Sequence, residues 1–134
     1  MHDKAFFDTN LLIYAAIVED SRSLRAEELL AAGGTISVQV LNEFVSVARR
    51  KLRRSWTDVK AALWRIRVLC PDPISLTIDT HEDAVRIAER YGFQIYDALI
   101  VAAALDAKCD VLYSEDLQDG QKIEGRLTVR NPFA

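Results

Sequence analysis

The segment KAFFDTNLLIYAA, residues 4–16, has the pattern of a short buried strand followed at once by a helix. Asp8 stands in the middle of it, between the apolar runs FF and LLI. Moving an ionised carboxylate into apolar surroundings costs several kcal/mol unless another charge or hydrogen bonds compensate it. A charge at this junction between strand and helix therefore needs an explanation from the rest of the chain.

Length and composition are those of a globular protein. The chain has 134 residues, half of them hydrophobic and 28% charged, so we expect a single domain over residues 1–134. Its two cysteines, Cys70 and Cys109, form no CxxC pair, which argues against a disulfide framework or a zinc knot. The apolar runs LLIYAAIV and ALIVAAAL are too short to span a membrane, and the N-terminus has no signal-peptide pattern. We therefore expect a soluble, cytoplasmic protein.

Positive charge is concentrated in one segment. The run ARRKLRR contains Arg49, Arg50, Lys51, Arg53 and Arg54, and because the whole chain carries a net charge of −3, the remainder carries −8. Such a run is usually a solvated helix face. A basic segment can also steer the phosphates of RNA towards a site that would otherwise repel them. Composition leaves both interpretations open.

Strand-like and helix-like segments alternate along the chain. We expect strands at 4–7, 35–37, 74–78, 109–114 and 126–130, and helices at 10–18, 21–34, 38–52, 55–69, 80–91 and 97–107. Thr80 and Asp83 are the expected caps of the fifth helix. The alternation predicts an α/β, three-layer fold with a mainly parallel central sheet and helices on both faces. In such sheets, ligands bind beyond the carboxyl ends of the strands.

Four acidic residues fall at these junctions or between apolar neighbours: Asp8, Glu43, Asp97 and Asp116. Carboxylates that are brought together raise one another's pKa, so we expect them to be ionised together only with a cation among them. Oxygen ligands without a paired His or Cys suit a hard ion, Mg²⁺ or Mn²⁺. Such an ion can activate a water and stabilise charge on a phosphoryl oxygen, as phosphodiester hydrolysis requires.

Each acid also has an ordinary structural explanation. Asp8 and Asp97 are suitable helix N-caps, Glu43 could pair with an arginine one turn later, and Asp116 could be a turn residue. For Asp97 and Glu43 taken singly, the ordinary role is the better one. The occurrence of all four on one expected rim favours a metal site.

At these acids the sequence resembles the PIN domain family, and within it the VapC-type ribonuclease toxins of bacterial toxin–antitoxin pairs. The resemblance covers nearly the whole chain, through four strings in order: FFDTNLLIYA, ISVQVLNEFVSVARR, YDALIVAAAL and DVLYSEDLQDG. It implies a PIN-like form of the α/β fold. It also implies Asp8, Glu43, Asp97 and Asp116 as catalytic acids and metal ligands, Asp8 and Asp97 most directly.

The polar neighbours of these acids have implied supporting roles. Asn10 and Ser114 would orient a carboxylate, a water or a phosphate. Ser37 could do likewise, although a helix N-cap explains it equally well. Asp119 and Glu115 compete for a fifth acidic position, and the alternative of a solvated turn residue fits Glu115 better.

The function implied is a Mg²⁺- or Mn²⁺-dependent endoribonuclease that cuts RNA with a metal-activated water. The resemblance further implies that it acts as a toxin, has a cognate antitoxin protein as partner and forms a homodimer. Arg49, Arg50 and Arg53 would then contact RNA or the antitoxin. Two alternatives remain: a non-catalytic PIN-fold module that binds RNA or protein, and a phosphatase of the haloacid-dehalogenase type, whose Asp-x-Asp motif the string DTN matches poorly.

Two residue types outside the four strings receive structural interpretations. Trp56 and Trp64 are spaced i, i+8 along one expected helix, and we interpret them as packing residues. His2 and His81 lie in none of the family strings, so we do not expect them to be metal ligands.

Overall fold

The structure, a computed structural model, describes residues 3–134; His2 lies outside that range. In chain order the elements are β1 (Ala5–Phe7), α1 (Thr9–Ala16), α2 (Ser23–Ala31), α3 (Val38–Arg50), α4 (Trp56–Leu69), α5 (Ile78–Tyr91), α6 (Ile95–Asp106), β2 (Val111–Tyr113), β3 (Lys122–Ile123) and β4 (Leu127–Arg130). Within the described range, no helix has both the length and the apolar character that a membrane crossing requires.

The four strands form one sheet in the order β1-β2-β4-β3. β1 pairs with β2 and β2 with β4 in parallel, whereas β3 runs antiparallel to β4. Two parallel single-residue bridges, Phe6 with Thr35 and Ser37 with Ile74, extend the sheet beyond β1. The expected α/β fold with a mainly parallel sheet is confirmed.

Both faces of the two central parallel strands are covered. Phe6 and Phe7 of β1 are 0% and 1% exposed, and Val111 and Leu112 of β2 are 5% and 0% exposed. Successive strand residues point to opposite faces, so burial of both members of each pair requires a layer on each side. The helices pack as two groups, α5 against α6, and α1 against α2, α3 and α4.

The expected strands at 35–37 and 74–78 are reduced to isolated bridges, and α1, α5 and α6 begin one or two residues earlier than expected. The segment 74–78 contributes only Ile74 to the sheet, because Thr77 already caps α5. The hydroxyl of Thr77 accepts the N–H of Thr80 at 3.1 Å, and the N–H of Thr77 donates to Oγ1 of Thr80 at 3.3 Å. The expected cap is therefore shifted by three residues: Thr77 is the N-cap, Thr80 completes the capping box as its N3 residue, and Asp83 lies inside the helix.

The packing role expected for the two tryptophans is also wrong. Trp56 and Trp64 are 52% and 70% exposed. α4 buries Val59, Ala62 and Ile66 instead, at spacings of three and four residues that form one apolar stripe. The tryptophans lie off that stripe.

Candidate active site

The structure places Asp8 at the carboxyl end of β1, where it is the N-cap of α1. Its backbone N–H donates to the carbonyl oxygen of Tyr113 in β2 at 3.0 Å, so the sheet fixes its position. Its side chain is buried and both carboxylate oxygens accept hydrogen bonds: Oδ1 from the N–H of Thr9 at 2.6 Å, and Oδ2 from the hydroxyl of Ser114 at 2.8 Å. The cap role and a role in a site therefore coexist in one residue.

Ser114 connects Asp8 to the turn that follows β2. Its hydroxyl donates to Asp8 and accepts the backbone N–H groups of Asp116 and Leu117, each at 3.3 Å. The residue is buried, and its own N–H donates to the carbonyl of Arg130 in β4 at 3.0 Å. One hydroxyl thus orients a carboxylate of the site and orders the loop that carries another.

Two of the other acids are joined to the residues directly after Asp8. Glu43, on α3, accepts from the hydroxyl of Thr9 at 2.8 Å and from Nε2 of Gln39 at 3.1 Å. Asp116 accepts from Nδ2 of Asn10 at 3.1 Å. The string DTN therefore provides Asp8 itself and the two polar side chains that donate hydrogen bonds to Glu43 and Asp116.

Asp97, on α6, lies near the other three acids. The N-cap of that helix is Gln94, so Asp97 is not a cap but a first-turn residue. At that position the helix dipole favours a negative charge. Its side chain is half-buried, and burial, followed by the charges of Asp116 and Glu43, raises the pKa of its carboxyl above the ordinary value.

All four acids line one cleft of about 300 Å³ at the carboxyl ends of β1 and β2. Lys51, at the end of α3, lines it as well and brings a positive charge to the rim. Burial raises the pKa of Asp8 to about 6, and the carboxylates of Asp116 and Glu43 add to that effect against the hydrogen bonds from Ser114 and Thr9. The cleft by itself therefore disfavours the ionised form of Asp8.

The donor chemistry of the cleft fits a hard divalent cation. Its four carboxylates offer oxygen alone, which Mg²⁺ and Mn²⁺ prefer. Within residues 3–134, however, no three His, Cys, Asp or Glu side chains stand close enough together to hold an ion in the present arrangement. Glu43 and Asp116 accept hydrogen bonds from neutral neighbours, Glu43 from Thr9 and Gln39 and Asp116 from Asn10.

The two candidates for a fifth acid lie outside the lining of the cleft. Glu115 accepts from the hydroxyl of Tyr14 at 3.1 Å and pairs with Nη1 of Arg22 at 3.2 Å. Asp119 is exposed, and its carboxylate accepts the backbone N–H of Asn131 at 2.9 Å. The structure thus brings neither of them to the four acids.

The arginines singled out from the sequence do not line the cleft. The guanidinium of Arg49 lies 4.5 Å from the ring centre of Trp56 and donates to the carbonyl of Arg54 at 2.9 Å. Arg50 ends α3 and Arg53 follows it, both exposed. Lys51, a member of the same run, is the residue that lines the cleft.

Thr9 and Gln39 are site residues that the sequence reasoning missed. Gln39 precedes Glu43 by four residues on a helix, a spacing that places the two side chains on one face and that was available as a signal. Ser37 has its ordinary explanation, because its buried hydroxyl accepts the N–H of Val40 at 3.2 Å as the N-cap of α3.

A larger cavity, of about 600 Å³, lies at the other end of α6. There Glu124 pairs with Arg86 at 2.5 Å and with Arg90 at 2.6 Å, and accepts from the hydroxyl of Tyr91 at 3.1 Å. These contacts join α5 to the turn before β4. They pair Glu124 with the two arginines; Asp83 and Asp106 also line the cavity.

The profile of the PIN domain matches residues 5–119, a range that includes all four acids of the cleft. The chain belongs to the PIN domain family. The PIN domain fold is also that of several solved structures. Among them is Mycobacterium tuberculosis VapC20, described as a sarcin-ricin-loop-cleaving toxin, with a TM-score of 0.70 and 22% identity over 84% of this chain and 90% of that one.

Two further solved structures with a similar fold contain complexes. A toxin–antitoxin complex from Klebsiella pneumoniae gives a TM-score of 0.71 at 24% identity, over 96% of this chain and 98% of that one. VapBC2 of Rickettsia felis, bound to a DNA fragment from its promoter, gives 0.62 at 18% identity, over 95% and 98%. The sequence matches no curated protein significantly. Because these sequence identities are below 25%, the three comparisons show a shared fold and nothing more.

Proposed function

We propose that this PIN domain, a single domain over residues 1–134, is a Mg²⁺- or Mn²⁺-dependent endoribonuclease. The observation that carries the proposal is the burial of Asp8 in a cleft that three further carboxylates line. Burial raises the pKa of Asp8 to about 6 and so disfavours its ionised form, whereas a cation among the four acids would favour the ionised form of every one of them.

Asp8 and Asp97 are the residues that would hold the ion most directly, with Glu43 and Asp116 completing the site. The chemistry that Mg²⁺ or Mn²⁺ supplies when bound is a lowered pKa for water and stabilisation of negative charge on a phosphoryl oxygen. Phosphodiester cleavage needs both. The cleft offers no Cys or His as an alternative nucleophile among its described lining residues.

The neutral side chains around the acids have positioning roles in this proposal. Ser114 and the N–H of Thr9 hold the two oxygens of Asp8, and Asn10 orients Asp116. Lys51 offers a positive charge to a phosphate that enters the cleft. Without such a cation, the acidic rim would repel the RNA backbone.

We further propose that the protein is the toxin of a toxin–antitoxin pair and acts in the cytoplasm. Support comes from the proteins that share its fold, which include a toxin described as cleaving the sarcin-ricin loop and a toxin–antitoxin complex. The partners are then an RNA substrate, a cognate antitoxin and a second copy of the chain. Arg49, Arg50 and Arg53 are the proposed contacts to RNA or antitoxin.

The test is RNA cleavage by the purified protein, freed of any antitoxin, on a mixture of structured and unstructured RNAs. Reactions contain Mg²⁺, Mn²⁺ or EDTA, with Asp8→Asn and the exposed control Asp72→Asn alongside. We expect cleavage that requires the metal and Asp8 and that tolerates the control. Metal binding without cleavage of any RNA would favour the non-catalytic module, and neither binding nor cleavage would remove the metal site as well.

A further inference from the structure

The outer face of α4 combines aromatic rings with positive charge. Trp56, Lys60 and Trp64 follow at intervals of four residues, which places them on one side of the helix, away from the buried stripe. Both tryptophans are more than half exposed, and Lys60 and Arg67 are exposed as well. These are the only two tryptophans in the chain. We call these four residues the α4 face.

The charge around the α4 face is strongly one-sided. Residues 49–69 contain eight Lys or Arg and one Asp, a net charge of +7. Because the whole chain carries −3, the remaining residues carry −10. The acid of this segment, Asp58, lies beside Arg54 and Arg65 at another cavity, about 120° around α4 from Trp64. An acidic polymer is the partner that such a distribution selects.

The last turn of α3 reaches both the acidic cleft and the α4 face. Lys51 lines the cleft, and two residues earlier Arg49 stacks on the ring of Trp56 at 4.5 Å. The cleft and the α4 face therefore border on the same end of α3, with Lys51 and Arg49 on different sides of it. The two tryptophans are eight residues apart, a rise of about 12 Å along the helix.

We propose that the α4 face binds a single-stranded segment of the RNA that enters the cleft. Bases stack on Trp64 and on the Arg49–Trp56 pair, while Lys60 and Arg67 lie beside the phosphates. Exposed aromatic rings with cations between them are the recurring platform for unpaired nucleotides, because every base has a π-face to stack. The inference rests on the proposed ribonuclease function and adds a substrate class to it: RNA that is unpaired next to the scissile bond.

The tryptophans report directly on this face, because the chain has no others. We would titrate the whole protein, in EDTA so that no RNA is cut, with a short single-stranded oligoadenylate and follow tryptophan emission. Heparin, a polyanion without bases, and a fully paired RNA duplex are the comparison ligands. We expect saturable quenching by oligoadenylate, and binding of heparin without quenching.

Variants separate stacking from charge. We expect Trp64→Ala to weaken oligoadenylate binding about 5- to 150-fold, the range of a lost base–aromatic stack. Leu24→Ala removes a side chain of similar exposure, 68%, from α2 and is the matched control, expected to bind as the wild type does. Lys60→Gln should reduce the dependence of binding on salt by about one counterion. Trp56→Phe and Trp64→Phe leave one reporter each, and each reporter should be quenched.

Four results would overturn the inference. They are an emission unchanged by oligoadenylate, equal quenching by duplex and single strand, equal losses in Trp64→Ala and Leu24→Ala, and a change of oligomeric state in Trp64→Ala with RNA affinity intact. The last would make the α4 face a contact between copies of the chain. Tight binding of an acidic helical peptide in place of RNA would assign it to a protein partner. RNA cleavage without quenching refutes this inference alone, whereas quenching without cleavage refutes the proposed function alone.

Discussion

Replacing Asp8 with Asn should stabilise the metal-free protein at neutral pH. The pKa of Asp8 is raised from 3.8 to about 6 in the fold, mainly by burial. At about 1.4 kcal/mol per pKa unit, the ionised carboxylate costs the folded state about 3 kcal/mol. Because the folded-state pKa is the higher one, this cost is absent below pH 3.8, grows as the pH rises and is complete above about pH 6.

Asn cannot reproduce every contact of the carboxylate. Its amide nitrogen cannot accept from the hydroxyl of Ser114, a loss of about 1 kcal/mol at every pH. Compared with the wild type, Asp8→Asn should therefore be about 1 kcal/mol less stable near pH 3.5 and about 2 kcal/mol more stable near pH 7.5. The difference between the two proteins isolates Asp8 from the other groups that titrate.

The assay is urea unfolding in EDTA across this pH range. Far-ultraviolet circular dichroism is the suitable probe, because both tryptophans are exposed in the folded state and their emission reports unfolding poorly. Mn²⁺ at about 100 times its dissociation constant should then stabilise the wild type by about 2.7 kcal/mol and leave Asp8→Asn unchanged. A stability difference that is constant with pH would refute the reasoning about the buried charge, and equal stabilisation of both proteins by Mn²⁺ would refute the metal site.

Three further changes test the structure around the cleft. Ser114→Ala removes the donor to Asp8 and the acceptor of two backbone N–H groups, so it should lower stability by about 1–3 kcal/mol in urea unfolding at pH 7, and an unchanged midpoint would contradict its role. Gly34→Ala places a Cβ 2.6 Å from two ring carbons of buried Phe7 and should cost about 1–3 kcal/mol, measured in the same way; a neutral effect would mean that the ring moves freely. Burial raises the pKa of the Cys70 thiol to about 11. Its reaction with a disulfide reagent at pH 8 should therefore be at least about 100-fold slower in the native protein than in urea, and equal rates would contradict its burial.

The parts of the fold that the sequence predicts are those set by local pattern. The apolar pair before Asp8 and most of the apolar run of α6 are buried, as their local sequence predicts. Asp8 and Asp116 are predictable as neighbours because each follows a strand, and β1 and β2 are parallel. The position of Asp97 follows from its place in the first turn of a buried helix.

The parts that escape prediction depend on helix phase and on competition between local structures. Glu43 and Lys51 are eight residues apart and line the cleft, whereas Arg49 points to Trp56. The run of positive charges does not by itself predict which of its members faces the cleft. The alternation at 74–78 indicates a strand, but the capping of α5 by Thr77 ends it after one bridge. β3 has two residues, too few for any alternation to be visible.

The central claim is that the four acids form one metal-dependent site that cuts RNA. Its most direct test is the rate of RNA cleavage as a function of Mn²⁺ concentration for Asp97→Asn and Asp106→Asn, which change the same residue type at the two ends of α6. We expect Asp97→Asn to lose at least about 100-fold in rate and Asp106→Asn to cleave as the wild type does, with both proteins equally helical. Equal rates for the two variants, at every Mn²⁺ concentration, would contradict the account.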